Sequence, residues 1–134
     1  MPPTSYRDLI AWRRAMSLAQ GAFTLAKTLR TAKQTGLAGQ LERAGTSVPT
    51  NIAEGHGRTS RAEYRHFLSI AMGSLREVET LVQLSGQIGA AKNETVIAVL
   101  QLADEAGKVL FGLQRSLMPA VEAEARQLPP STVS

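Results

Sequence analysis

This sequence predicts an all-α fold, an up-down-up-down left-handed four-helix bundle that assembles as a homo-oligomer, and three observations carry the prediction. Apolar residues recur three and four apart through four long segments. The breaks between those segments are short, so successive helices must pack as antiparallel neighbours. The apolar content is mainly Leu, Ala, Val and Ile, with aromatics at only 4%, a composition that suits helices. At 134 residues the chain is about one domain and can bury a core without metals or disulfides. The expected division is a bundle over 1–121 and a frayed tail over 122–134, where Leu128-Pro-Pro ends any helical pattern.

The first helix is expected from Ser5 to Leu29. Leu9, Trp12, Met16, Ala19, Phe23 and Ala26 form one seam, and Ala11, Ala15, Leu18, Ala22, Leu25 and Leu29 form a second beside it. Together they cover about half the helix, wider than the roughly 100° stripe that one core needs. Thr31 to Thr35 is a polar break. In the second helix Leu37, Leu41, Ala44 and Val48 form the seam, continued by Asn51 and Gly55. Pro49 removes a backbone hydrogen bond inside this pattern and predicts a kink rather than two helices, because Ile52 and Ala53 keep the apolar face going. Gly55-His-Gly57 reads as a stop in the left-handed conformation.

The third helix opens with a capping box, Ser60-Arg-Ala-Glu63, and runs to Gly89. The fourth is expected to begin with Asn93 as its cap. It too carries two seams: Val96, Leu100, Ala103, Gly107, Leu110 and Leu117, beside Val99, Leu102, Ala106, Val109 and Leu113. Two helices with surplus apolar arc predict self-association, since a lone chain would expose Leu18, Leu25, Leu29, Leu102 and Val109 to water.

The absence of cysteine excludes disulfides, thiolate metal sites and a cysteine nucleophile. No apolar run approaches the ~20 residues of a membrane span. The start of the chain lacks the apolar core of a secretory signal, so a cytoplasmic protein is expected. Net charge is +4 and unevenly placed: residues 1–66 hold ten Lys and Arg against four Asp and Glu, whereas 67–134 hold five against seven. Such asymmetry marks either a polyanion-binding face or a solvated basic surface.

Nothing in the pattern predicts an enzyme. His56 and His66 have no carboxylates at metal-ligand spacing. Glu63-Tyr-Arg-His66 is one copy of a motif that a di-iron bundle needs twice. Gly55-His-Gly57 lacks the lysine and preceding strand of a phosphate-cradling loop. No cofactor, metal or small-molecule substrate is expected. Two polar sets remain. Asn51 falls on the core seam of the second helix with Ser47 and Glu54 on its border, and Glu77 lies in line with Ile70 and Leu84 on the third. Buried carboxylates need partners, for which Arg43, Arg58 and Arg76 are the candidates. This set reads either as a network fixing helix register or subunit contacts, or as a ligand- or RNA-contacting pocket. The second set is basic. Arg7, Arg13, Arg14 and Lys27 share the polar face of the first helix, and Arg58, Arg61 and Arg65 lie around the start of the third. An oligomer would repeat them and bind phosphates in a salt-dependent way. No aromatic platform lies among them in the sequence, so base-specific readout of single strands is not expected.

Tyr6-Arg-Asp-Leu-Ile-Ala-Trp12, Gln40-Leu-Glu-Arg-Ala44, Ser47-Val-Pro-Thr-Asn-Ile-Ala-Glu-Gly55 with Arg58, Phe67-Leu68 and Gly73-Ser-Leu-Arg-Glu-Val-Glu79 resemble the four-helix bundle proteins encoded in 23S ribosomal RNA intervening sequences. The resemblance covers about residues 6–118 and places the family motif on Ser47, Pro49, Asn51, Glu54, Gly55, Arg58, Ser74 and Glu77. It implies a homopentamer with no established enzymatic activity and with nucleic-acid binding suspected. A similar basic pentameric bundle serves as the accessory protein of diversity-generating retroelements, a likeness of fold and charge only. The expected partners are therefore further copies of the chain and RNA or another nucleic acid. The alternative is a protein–protein interaction scaffold with no nucleic-acid role.

Overall fold

The computed structural model describes residues 5–119, and the expected tail lies outside them. A single turn of 3-10 helix, Tyr6–Asp8, precedes four α-helices: α1 Ile10–Thr31, α2 Thr35–His56, α3 Arg61–Gln87 and α4 Asn93–Ser116. No strand occurs among the described residues. Contacts join α1 to α2, α2 to α3, α3 to α4 and α4 back to α1, so the four helices enclose one core as a four-helix bundle.

The first helix starts later than its periodicity suggests. Ser5 Oγ accepts a hydrogen bond from the Arg7 amide and caps the 3-10 turn, and extended backbone at Leu9 then re-aims the chain. Of the two seams on α1, the one from Ala11 through Leu18 to Leu29 faces the interior, where Ala15, Leu18, Ala22, Leu25 and Leu29 are fully buried. Each such leucine contributes about 1.5–3 kcal/mol by leaving water. The other seam is divided: Leu9, Ala19 and Ala26 are buried, whereas Trp12 and Met16 are half-buried and Phe23 is 44% exposed. The apolar residues expected to need a second copy are thus partly misplaced. Leu18, Leu25 and Leu29 belong to the core of one chain, while Leu102 and Val109 are half-buried and Phe23 lies in the open.

α1 turns into α2 through Lys33, which adopts the left-handed conformation at φ 64°. Gln34 N donates to Leu29 O at 2.8 Å and closes the turn. Pro49 is buried inside α2 and does not split it in two. One turn earlier the helix presses against α1, where a Cβ on Gly45 would meet Ala22 Cβ at 2.9 Å.

The expected glycine stop is corrected by the backbone. α2 ends at His56, and Gly57 is right-handed at φ −78°. Gly55 is buried within the helix because α3 crosses there: its Cβ would stand 2.9 Å from Phe67 Cβ and 3.0 Å from Tyr64 Cδ1. Close approach, and not a left-handed turn, is what requires that glycine. α3 begins as expected, with Ser60 Oγ accepting from the Glu63 amide at 3.0 Å. It ends before Gly89, the described glycine with positive φ (75°). Asn93 is not the cap of α4. Lys92 holds the cap position with extended backbone and no side-chain bond, and Asn93 is the first helical residue.

Candidate nucleic-acid interface

Contacts between the elements bring the two basic groups of the sequence, Lys27 apart, to one end of the bundle. Tyr6, beside Arg7, lines the same groove as Gly57 and Arg58, so the start of the chain lies against the end of α2. Arg61 Nη2 donates to Ser116 O at 3.0 Å, joining the start of α3 to the last turn of α4. An arginine there satisfies a helix C-terminal carbonyl and faces the negative end of the helix dipole. Arg7, Arg13, Arg14, Arg58, Arg61 and Arg65 therefore converge, and Arg115, in the last turn of α4, joins them. Sequence reasoning missed Arg115 because its neighbours along the chain carry little charge. Lys27 does not belong to this set. It is fourteen residues beyond Arg13 on α1, about 21 Å along the axis.

The guanidinium groups are held differently. Arg7 lies 4.7 Å over the Tyr6 ring, and its carbonyl accepts from Arg13 Nε at 2.9 Å. Arg13 stands 3.9 Å from Asp8, Arg14 lies 3.4 Å from Glu105, and Arg58 lies 3.2 Å from Glu54 while covering the Phe67 ring at 4.6 Å. All three ion pairs are exposed, so they fix side-chain positions more than they stabilise the fold. Arg65 is half-buried beside His66, Phe111 and Gln114.

Aromatic rings do lie near these arginines, contrary to the sequence-based expectation. Tyr6 and Trp12 meet edge to face with centroids 5.2 Å apart. They open a groove of about 890 Å³ between α1 and α2. One wall is Trp12, Met16 and Phe23, the other is Thr46, Pro49, Thr50 and Ala53, and Glu54 and Arg58 close the end. The turn at Leu9 brings Tyr6 back onto Trp12, a contact that local spacing does not show.

The polar set on α2 resolves into two parts. Asn51 Nδ2 donates to Ser47 O at 2.8 Å and lies 2.9 Å from Ser47 Oγ, which meets Ser74 Oγ of α3 at 2.7 Å. These half-buried groups tie α2 to α3. Glu54 and Arg58 form a separate exposed pair one turn apart. Arg43 and Glu77 take no part in the network. Both are exposed, and neither has an ion-pair partner among the described residues. Glu77 stays in water because its line, with Ile70 and Leu84, is the outer edge of α3 and not its core face. Arg76 instead bonds Glu79 at 2.7 Å. The sequence also concealed the bidentate Arg30–Glu42 pair between α1 and α2, one of whose bonds is 2.7 Å. That hydrogen bond holds the Glu42 carboxyl below its ordinary range and raises Arg30. Among the described residues, no group of three or more His, Asp or Glu could hold a metal ion. No described helix is long and apolar enough to cross a membrane.

A family model described as 23S rRNA-intervening sequence protein matches residues 7–112. The chain belongs to that family. The matched span begins at Arg7 and contains the Asn51–Ser47–Ser74 network and both basic groups, whereas Arg115 lies beyond it. Among solved structures, a protein of unknown function from the S23 ribosomal protein family of Bacteroides thetaiotaomicron superposes with a TM-score of 0.75 at 24% identity. The match covers 78% of this chain and 98% of that one, and shows a shared fold. No curated protein matches the chain. This member of the family is thus a four-helix bundle in which most of the described arginines gather at one end and a groove of about 890 Å³ opens beside them.

Proposed function

We propose that this family member is a cytoplasmic, non-enzymatic, homo-oligomeric up-down-up-down bundle that binds RNA or another polyanion through its arginine-rich end. The observation that carries this reading is the gathering at one end of Arg7 from the 3-10 turn, Arg13 and Arg14 from α1, Arg58 just after α2, Arg61 and Arg65 from α3 and Arg115 from α4, where the acids among the described residues are Asp8, Glu54, Glu63 and, paired with Arg14, Glu105. The family name associates its members with 23S ribosomal RNA, which makes ribosomal RNA the first ligand to try. The resemblance behind the pentamer expectation supports repetition of this end around an axis, which would multiply phosphate contacts and steepen the salt dependence.

The experiment is filter binding of ribosomal RNA fragments over a salt series. The affinity is expected to fall steeply as salt rises, and Arg7→Glu with Arg13→Glu should weaken binding and flatten the slope by about one unit per lost contact. Weak binding with no salt dependence, or binding unchanged in the double variant, would overturn this reading. One observation favours the second reading, a protein-interaction scaffold. Arg13, Arg14 and Arg58 already have acidic partners, while the groove beside them is lined mainly by apolar side chains. A protein partner retained after nuclease treatment, with no RNA binding, would select it.

A further inference from the structure

The groove between α1 and α2 has a counterpart on the same molecule. Along the outer edge of α3, Ile70, Glu77 and Leu84 repeat every seven residues, with Ile70 39% and Leu84 42% exposed. Each stands three residues beyond a residue of the row Phe67, Ser74 and Leu81. Phe67 and Ser74 of that row touch α2, so the stripe faces outward on the α2 side of α3. Seven residues advance about 10.5 Å along a helix. The groove has the same repeat. Met16 and Thr50 bound one seat, and Phe23 and Arg43, each seven residues away, line the next. With Ile70 or Leu84 in the first seat, in either direction of the incoming helix, Glu77 falls opposite Arg43.

Charge supports that pairing. Arg43 and Glu77 each have no ion-pair partner among the described residues, and they carry opposite sign. α4 presents a similar stripe, Ile97, Asp104 and Phe111, but Asp104 is already paired with Lys108 at 3.1 Å. The α3 stripe is therefore the better match. Small side chains on α2, Thr46, Thr50 and Ala53, leave room for a helix to approach the aromatic wall of α1.

We propose that the α1/α2 groove receives the Ile70–Glu77–Leu84 edge of α3 from a second copy of this chain, in a head-to-tail contact with Arg43 opposite the neighbour's Glu77. The proposal rests on the homo-oligomer reading above and assigns its interface. Groove and stripe are different surfaces of one chain, so the contact is head-to-tail and not the self-complementary patch of a two-fold dimer.

The test is sedimentation velocity of the full chain over a concentration series, with circular dichroism as the folding control. Glu77→Arg and Arg43→Glu should each weaken association about tenfold, and the double exchange should restore it, because the charge pair is then rebuilt with reversed sign. Phe23→Lys should weaken association with no rescue. A wild-type chain that stays monomeric overturns both this inference and the oligomer reading. An oligomer whose mass is unchanged in all three single variants overturns this inference only and leaves self-association standing. Loss of RNA binding in Phe23→Lys at unchanged mass would assign the groove to nucleic acid and also overturn it.

Discussion

Alanine at Gly55 and alanine at Gly112 should move stability in opposite directions, although both glycines are helical. Alanine in a helix is favoured over glycine by about 1 kcal/mol, less near a helix end. At Gly112, on the exposed face of α4, an added Cβ meets nothing within 4 Å, so only this gain remains. At Gly55 the same methyl would stand 2.9 Å from Phe67 Cβ, 3.0 Å from Tyr64 Cδ1 and 3.3 Å from Tyr64 O. The first and last of these atoms move only with the backbone of α3, so the helices must separate by about half an ångström to restore ordinary contact. Overpacking of this kind costs about 1–3 kcal/mol. Set against a reduced propensity gain, a net loss of about 1–2 kcal/mol is expected at Gly55. For a domain of this size, about 1 kcal/mol corresponds to roughly 4 °C in melting temperature. Gly55→Ala should therefore melt about 4–8 °C below the parent and Gly112→Ala about 2–4 °C above it. Both should be measured by thermal melts at one fixed protein concentration, because self-association makes the midpoint concentration-dependent. If Gly55→Ala melts at or above the parent, close helix approach is not what that glycine provides.

Lys33 is left-handed at φ 64°, so Lys33→Gly should relieve backbone strain and raise stability by about 1 kcal/mol, seen as a higher denaturant midpoint with unchanged m-value. Ser47 Oγ serves both Asn51 and Ser74, so Ser47→Ala should cost more than the roughly 0.5–1.5 kcal/mol of Ser74→Ala; equal losses in urea unfolding would break that account. The hydrogen bond from Arg30 holds the Glu42 carboxyl below its ordinary value of 4.5. Its small contribution is present above that pH and is lost as pH falls through the folded-state value, so melting should decline on acidification more steeply in the parent than in Glu42→Gln. Burial raises the Tyr64 phenol above 10.0, and its Oη has no hydrogen-bond partner among the described residues. Stability should hold below pH 10 and fall as pH rises from there through the folded value, and Tyr64→Phe should remove that decline.

The helices, most of their ends and the family motif are legible in the sequence because they depend on local chemistry. Periodic leucines and alanines define four amphipathic faces, and Ser60 caps α3 through a bond to a residue three positions away. Pro49 lies inside α2, where the continuing apolar pattern expected it. The basic halves and the polar residues Ser47 and Asn51 could also be singled out, since a charge or an amide on an apolar face is visible without coordinates.

What each of these residues touches depends on separations of tens of residues. Only tertiary packing decides that the Leu18 seam faces the interior while Trp12, Met16 and Phe23 wall a groove, since the two seams are equally apolar. It decides that Gly55 admits α3 rather than ending α2, because the atoms that forbid a methyl come from another helix. It also decides that Arg7 and Arg115, at opposite ends of the described chain, share one end of the bundle. Sequence periodicity determines which face of each helix can be buried. The arrangement of the four helices around one core determines which face is buried, and with it where the arginines, the groove and the uncovered stripe of α3 come to lie.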